Sequence, residues 1–251
     1  MTVTDRTTRE RALTDGGVAT TQAFYTRWAR LYDAVARRTP GVGGLRERAA
    51  DRLAPEAGDV VVDMGCGTGA NLPYFRTRVG TTGRVLGVDF TPGVLGIARD
   101  RLADLDGVGV VRGDATRPPV READAVFASF VSGMLAEPAH AVRTWADIVG
   151  PGGRLGLLDL ARSTRPVGRP LNDLFGLVVR GTSPPGTRSR LDEAPAAVLD
   201  RRVVAAHRAL FELCEEVEHE THALGYARLS VGTVADTDPA SDTDHADVRR
   251  P

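Results

Sequence analysis

The sequence predicts an α/β domain built on a doubly wound sheet of seven strands, mostly parallel, with a C-terminal antiparallel hairpin and helices on both faces. Three observations carry this expectation. Five short apolar runs alternate with stretches of helical period, a glycine-rich turn sits where the first run ends, and two β-type segments follow near the C-terminus. Short runs that are apolar at nearly every position are strands buried on both faces, the condition of a parallel sheet covered by helices. Right-handed β-α-β crossovers join such strands.

Taken in order, Gln22 to Arg38 repeats apolar residues at three- and four-residue steps, Phe24, Trp28, Leu31, Tyr32 and Val35, the spacing of an amphipathic helix. A second helix is expected over Leu45 to Leu53, ended by Pro55 and Gly58. The strand candidates are DVVVDM at 59–64, RVLGVDF at 84–90, GVGVVRGD at 107–114, DAVFASF at 124–130 and GRLGLLDL at 153–160. Between them Ala70 to Val79, Val94 to Leu102 and Pro138 to Val149 carry helical period and fit crossover helices. After Leu160 the alternation breaks. Residues 161–190 hold Arg162, Arg165, Arg169, Arg180, Arg188 and Arg190, several prolines and one apolar island, LNDLFGLVV at 171–179. A connection this long reads as an insertion or lid, with a solvated surface excursion as the alternative. Asp192 to Glu215 is helical in period, and 216–234 reads as two β segments joined by a tight Leu224-Gly225 turn. The domain is therefore set at 21–234, between a polar stretch 1–20 and an acidic tail 235–251, both expected to be disordered.

Composition narrows the function classes. The 251 residues are 42% hydrophobic and 26% charged, within the soluble globular range and enough for one sizeable core. A formal net charge of -1 offers no basic excess for neutralising phosphates, so nucleic acid is not an expected partner. All 32 basic residues are arginine, which excludes Schiff-base chemistry and a P-loop lysine. Cys66 and Cys214 are too few for a disulfide framework, and no CxxC or HExxH spacing offers a metal site. Residues 1–20 lack an apolar signal region, and no apolar run reaches the roughly 18 residues that span a bilayer. The expectation is a cytoplasmic protein with no transmembrane segment.

The strongest local signal is Asp63-Met64-Gly65-Cys66-Gly67-Thr68-Gly69, placed where a strand ends and a helix begins. Glycines there let the backbone approach a ligand, and free N–H groups at the helix start favour an anionic group. Alone, the run does not choose a cofactor: Gly65-x-Gly67-x-x-Ala70 also satisfies the dinucleotide pattern, with Asp89 twenty residues past Gly69 where a ribose-binding acid belongs. Three features tilt the choice. Gly113-Asp114-Ala115 puts a second acid at the end of the third strand, placed to accept from an exocyclic amine such as adenine's. Almost sixty residues, including an aromatic helix, precede the glycine loop. Gly150-Pro151-Gly152-Gly153 forms a tight turn feeding the fifth strand.

Together these residues resemble the class I S-adenosylmethionine-dependent methyltransferases, with a Rossmann-like fold, and within them the ubiquinone/menaquinone C-methyltransferase (methyltransferase type 11) branch. The resemblance runs from about Phe24 to Val234. It rests on FYTRWARLYD at 24–33, VVVDMGCGTG at 60–69, GRVLGVDFTPGVLGIAR at 83–99, GDA at 113–115, FASF at 127–130 and VGPGGRLGLLDL at 149–160. It implies S-adenosylmethionine as cofactor, with Asp63, Gly65, Cys66, Gly67, Thr68 and Gly69 at its methionine end, Asp89 on the ribose hydroxyls and Phe90 beside the adenine. Asp114 and Ala115 would read the adenine edge, and Ser129 would close the site. Each residue also has a purely structural role open to it: Asp63 as a helix N-terminal acid, Asp89 and Asp114 as turn formers, Ser129 as a strand-end hydroxyl. Cys66, between glycines and with no histidine nearby in sequence, reads as a small filler rather than a nucleophile.

Methyl transfer from a sulfonium is an in-line displacement, so the protein must align the reactants and exclude water, and needs a base only where the acceptor has a proton to lose. Candidates for that base are Asp159, Tyr32 and His222, with Tyr25 and His219 behind them. Tyr25 and Tyr32 share one helix face, and the resemblance places that segment over the cofactor. His219 and His222 have opposite parity and cannot both face one pocket without a bulge. The expected function is methylation of a small molecule of quinone or lipid type by a monomer or homodimer, with peripheral membrane contact open to the arginine-rich insertion. The alternatives are an NAD(P)-dependent oxidoreductase using the same glycine loop and a non-catalytic cofactor-binding protein.

Overall fold

Seven strands make one sheet in the order β3-β2-β1-β4-β5-β7-β6: β1 (Val60–Met64), β2 (Arg84–Asp89), β3 (Val108–Arg112), β4 (Ala125–Ser129), β5 (Arg154–Leu160), β6 (Cys214–His222) and β7 (Ala227–Val234). The first five are parallel, and β7 runs antiparallel to both β5 and β6. This is the predicted sheet. The computed structural model describes residues 41–182 and 194–236. The expected helix over 22–38 with Tyr25 and Tyr32, the stretch 1–20 and most of the tail lie outside the described residues.

Period-two parity in the strands decides which core each side chain enters. On one face Val61, Phe127, Leu158, Leu229 and Val231 pack with α1 (Val42–Leu53), α2 (Leu72–Val79) and α3 (Pro92–Leu102). On the other, Val62, Met64, Val126, Leu155 and Leu157 pack with α4 (Pro138–Val149) and α6 (Pro195–Leu213). Phe75 of α2 meets Phe127 edge-on, ring centroids 5.3 Å apart, a geometry that adds to the area term. Trp145 of α4 is fully buried, and its Nε1–H donates to the Ala115 carbonyl at 2.7 Å. The largest side chain in the core thereby leaves no unpaired polar group.

Four elements differ from the sequence expectation. Helix α1 starts at Val42 rather than Leu45, after Gly41 at φ 85. Helix α2 starts at Leu72 rather than Ala70, because Gly69 at φ 73 and Asn71 complete the turn first. Strand β6 starts at Cys214, inside the segment read as helix. A register shift between Glu215 and Glu218, with Glu216 at φ 51, breaks the period-two pattern there. The apolar island at 171–179, read as part of an irregular insertion, forms α5 (Asn172–Thr182) after a 3-10 turn at Arg169–Leu171. Asn172 Oδ1 accepts the Ser163 N–H at 2.9 Å, and the Phe175 ring lies 5.1 Å from that of Tyr226. These two contacts tie the helix to the end of β5 and the hairpin.

Candidate cofactor and active site

In an open α/β sheet, ligands bind at the carboxyl ends of the strands where the strand order reverses. Here that point lies between β1 and β4, and the glycine loop leaves β1 there. Gly65, Gly67 and Gly69 have φ values of 70, 55 and 73, a region costly for residues with a Cβ. The N–H groups of Gly65 and Cys66 both donate to the Val88 carbonyl, at 2.7 and 3.0 Å. The loop is thereby fastened to β2. A Cβ on Gly65 would collide with Val131 Cγ2, whereas one on Gly67 would have no atom within 4 Å. Space beside the loop therefore opens at Gly67.

Asp63, at the end of β1, is fully buried on the α2 side of the sheet. Its Oδ2 accepts from Asn71 Nδ2 at 3.0 Å, while Oδ1 has no hydrogen-bond partner. Burial pushes its carboxyl up to about 7, against the opposing pull of the Asn71 bond and the Arg46 charge. Asn71 also donates to Ser129 Oγ at 2.8 Å and accepts from Arg46 Nε at 3.0 Å. One carboxamide thus ties the ends of β1 and β4 to α1. Asp89 ends β2, and its carboxylate accepts the Thr91 N–H at 2.8 Å and the Gly67 N–H at 3.0 Å. Burial raises its carboxyl too, with the backbone bonds opposing.

The structure therefore brings Asp63, Gly65, Cys66, Gly67, Thr68, Gly69, Asp89 and Ser129 to the carboxyl ends of three adjacent strands, β2, β1 and β4. Phe90 follows Asp89 directly and is half-buried. Cys66 is buried, and its burial pushes the thiol well above the ordinary range, the state of a packed filler. The Thr68 carbonyl accepts from Arg101 Nη1 at 2.7 Å. Asp114 is exposed, and its Oδ1 accepts both the N–H and the hydroxyl of Thr116 at 2.8 Å, so part of its carboxylate serves its own turn. The Ala115 carbonyl is taken by Trp145.

The residues sequence reasoning missed are Asn71 and Arg46. Arg46 carries a signal in retrospect: it shares a helical stripe with Ala49, Ala50 and Leu53, all buried, and is itself only 8% exposed. A cation on a buried stripe needs a partner. Asn71 has no comparable signature, because a polar residue beside a helix start reads as a cap.

The base candidates among the described residues, Asp159, His219 and His222, fall elsewhere. Asp159 has the parity of Leu157, so it faces α6 and not the Asp63 side. It is 1% exposed, with Oδ2 3.4 Å from His207 Nε2. The His207 and His219 Nδ1 atoms each lie 2.8 Å from Ser230 Oγ. His222 sits on edge strand β6 with Nε2 3.0 Å from Glu220 Oε2. Arg48 grips that carboxylate with two bonds of 2.9 Å and, with Arg52, holds it down to about 2. Strand β6 is four places from β1, about 19 Å at the usual spacing. The two histidines do not share a pocket, as their parity requires.

The donor chemistry fits a cationic nucleoside. An unpaired buried carboxylate oxygen suits an ammonium or sulfonium, a carboxylate at the end of β2 suits a diol, and the loop is open at Gly67, whose N–H bonds that second carboxylate. A strand-end glycine loop of this kind on a sheet of this order defines a nucleoside-binding α/β enzyme, and the chain belongs to the class I S-adenosylmethionine-dependent methyltransferases. The family model described as a methyltransferase domain matches residues 62–157. The aklanonic acid methyltransferase DauC of Streptomyces sp. (strain C5) is 30% identical over 193 residues, covering 75% of this chain and 84% of that protein. The demethylmenaquinone methyltransferase of Staphylococcus aureus (strain JH9) is 26% identical over 132 residues, 52% of this chain and 55% of that protein. The chain thus matches about half the length of that relative. A SAM-dependent methyltransferase from Aquifex aeolicus has the same fold, with TM-score 0.54, 18% identity and coverage of 76% of this chain and 89% of that one. A geranyl diphosphate methyltransferase solved with SAM does too, with TM-score 0.53, 14% identity and coverage of 77% and 85%. S-adenosylmethionine is the cofactor, and the oxidoreductase reading is not favoured. Among the described residues no helix is long and apolar enough to cross a membrane, and no group of three or more His, Cys, Asp or Glu could hold a metal ion.

Proposed function

We propose that this methyltransferase holds the methionine end of its cofactor with Asp63, Gly65, Cys66, Gly67, Thr68 and Gly69, the ribose hydroxyls with Asp89 and the adenine with Phe90, Asp114 and Ala115, Ser129 closing the site. The observation that carries the assignment is the buried Asp63 Oδ1 without a hydrogen-bond partner. A cationic group beside it relieves a desolvated carboxylate. Bound S-adenosylmethionine supplies an electrophilic methyl on a sulfonium. The chain's own part is to position the acceptor in line, exclude water and receive a proton where the acceptor has one to lose.

The acceptor in this reading is a small molecule of quinone type. The support is that two relatives are named for aklanonic acid and demethylmenaquinone. Acceptor choice lies in residues 161–190 and in the segment carrying Tyr25 and Tyr32, within a catalytic domain of residues 21–234. The enzyme acts in the cytoplasm as a monomer or homodimer and not on nucleic acid, which the net charge of -1 supports.

Calorimetric titration with S-adenosylmethionine, S-adenosylhomocysteine and NAD, with Asp89→Ala as control, tests the cofactor assignment. The two sulfur compounds bind, NAD does not, and the control weakens binding at least about tenfold. Below about pH 7 Asp63 takes up a proton and loses its attraction for a cation, so affinity falls by up to about tenfold for each further pH unit. Loss for both sulfur compounds assigns Asp63 to the ammonium, and loss for S-adenosylmethionine alone assigns it to the sulfonium. Affinity that does not change with pH overturns the role of Asp63.

A further inference from the structure

Helix α5 packs only one side onto the molecule. Phe175 faces Tyr226 and Asn172 holds Ser163, while the opposite stripe consists of Leu171, Leu174, Leu177 and Val178, which are 44%, 59%, 68% and 54% exposed. Val167, in the turn leading to the helix, is 66% exposed. Positions i, i+3, i+6 and i+7 form one continuous line along a helix. Single exposed leucines are ordinary, but a surface helix normally turns its polar face outward. Here the outward face is apolar, and the core gains nothing from it.

The charges around the stripe say what it meets. Among the described residues of this segment, Arg165 and Arg169 in the leading turn stand exposed, against one exposed acid, Asp173. Arg162 is engaged by Asp200 at 2.6 Å. An apolar stripe with two exposed arginines at its leading end matches a surface that is apolar within and anionic at its rim. We infer that the outer face of α5 docks on an anionic lipid bilayer. Val167, Leu171, Leu174, Leu177 and Val178 enter the acyl boundary, and the arginines reach back to lipid phosphates. This goes beyond the cofactor assignment and draws on no residue that holds the cofactor, while the stripe lies within the 161–190 segment to which acceptor choice is assigned.

The test is co-sedimentation of the full chain with vesicles of equal parts phosphatidylglycerol and phosphatidylcholine, and with phosphatidylcholine alone. The chain pellets with the anionic vesicles, weakly with the neutral ones, and less as salt is raised to about 0.5 M. The pair Leu174→Ser and Leu177→Ser lowers the partition at least about tenfold. Arg165→Gln with Arg169→Gln lowers it by a similar factor and removes most of the salt dependence. S-adenosylmethionine titration that is unchanged in both variants shows that they fold. Failure of the folded wild-type chain to bind anionic vesicles overturns the proposal, as does binding that the serine pair leaves intact. A dimer dissolved by the serine pair, without vesicle binding, assigns the stripe to a second copy of the chain. Vesicle binding gained only when residues 1–40 are removed assigns it to the chain's own N-terminal segment. Either result overturns the proposal too.

Discussion

Asn71 does at the residue level what no single strand could: its carboxamide bonds Asp63, Ser129 and Arg46 at once, with only 4% of the residue exposed. Removing it leaves three buried or half-buried polar groups short of a partner. Asn71→Ala is therefore expected to cost about 2–3 kcal/mol, a fall of about 4–10 °C in a thermal melt. Ser129→Ala, which removes one bond of the three, costs less than half of that. The Asn71 bond also holds the Asp63 carboxyl down against burial, so the alanine variant loses cofactor affinity at a higher pH than the wild type. Equal melting temperatures for the two variants would show that the carboxamide is not the hub of the site. Much of the candidate site is contiguous in the sequence, a strand-loop-helix run plus a strand-end acid, and its spatial grouping was legible for that reason. Asn71 and Arg46 were not, since their importance comes from partners 58 and 25 residues away.

At the level of the element, the glycine loop separates a folding demand from a binding demand. Gly65 and Gly67 both have positive φ, but their surroundings differ. A Cβ at Gly65 collides with Val131, which is itself 9% exposed and packed in the core, whereas a Cβ at Gly67 enters open space. Gly65→Ala is expected to lower stability by about 2–4 kcal/mol through strain and overpacking. Gly67→Ala costs only about 1 kcal/mol of backbone strain. If the opening belongs to the cofactor, the order reverses in calorimetry, and Gly67→Ala weakens S-adenosylmethionine binding at least about tenfold while its melt stays near the wild type. Parallel stability and affinity losses at Gly67 would remove it from the binding surface. Elements were readable where local period and burial agreed, as in β1 to β5 and α4. They were misread at β6, where a bulge interrupts the alternation, and at α5, where arginines and prolines around an apolar island resemble a loop until Asn172 and Phe175 find their partners.

For the whole molecule, the placement of a raised carboxylate at the end of a central strand makes the fold's stability depend on the site. Strand β1 pairs with both β2 and β4, so Asp63 cannot move out to water without opening the sheet. Its carboxyl stands at about 7 against an ordinary value of 3.8. At about 1.4 kcal/mol per tenfold, this is on the order of 4 kcal/mol. Between about pH 4 and pH 7 the folded cofactor-free chain holds a proton that the unfolded chain releases, so this contribution to stability is present below pH 4 and is lost as pH rises through 7. His219, lowered by burial and by the His207 and Arg228 charges, acts in the opposite direction, losing stability as pH falls below its unfolded value. Glu220, held near 2 by Arg48 and Arg52, matters only in stronger acid. A single melting curve mixes these terms, but Asp63→Asn isolates one of them. Between about pH 5 and pH 8 the cofactor-free wild type is expected to lose stability relative to the Asp63→Asn variant by about 2–4 kcal/mol. Saturating S-adenosylmethionine, at about a hundred times its dissociation constant, returns about 2.7 kcal/mol to the wild type. It returns less to the variant, which lacks the charge to be settled. Parallel pH profiles for the two chains would mean that Asp63 finds its compensation inside the protein, and the argument that its unpaired oxygen awaits a cation would fail with them.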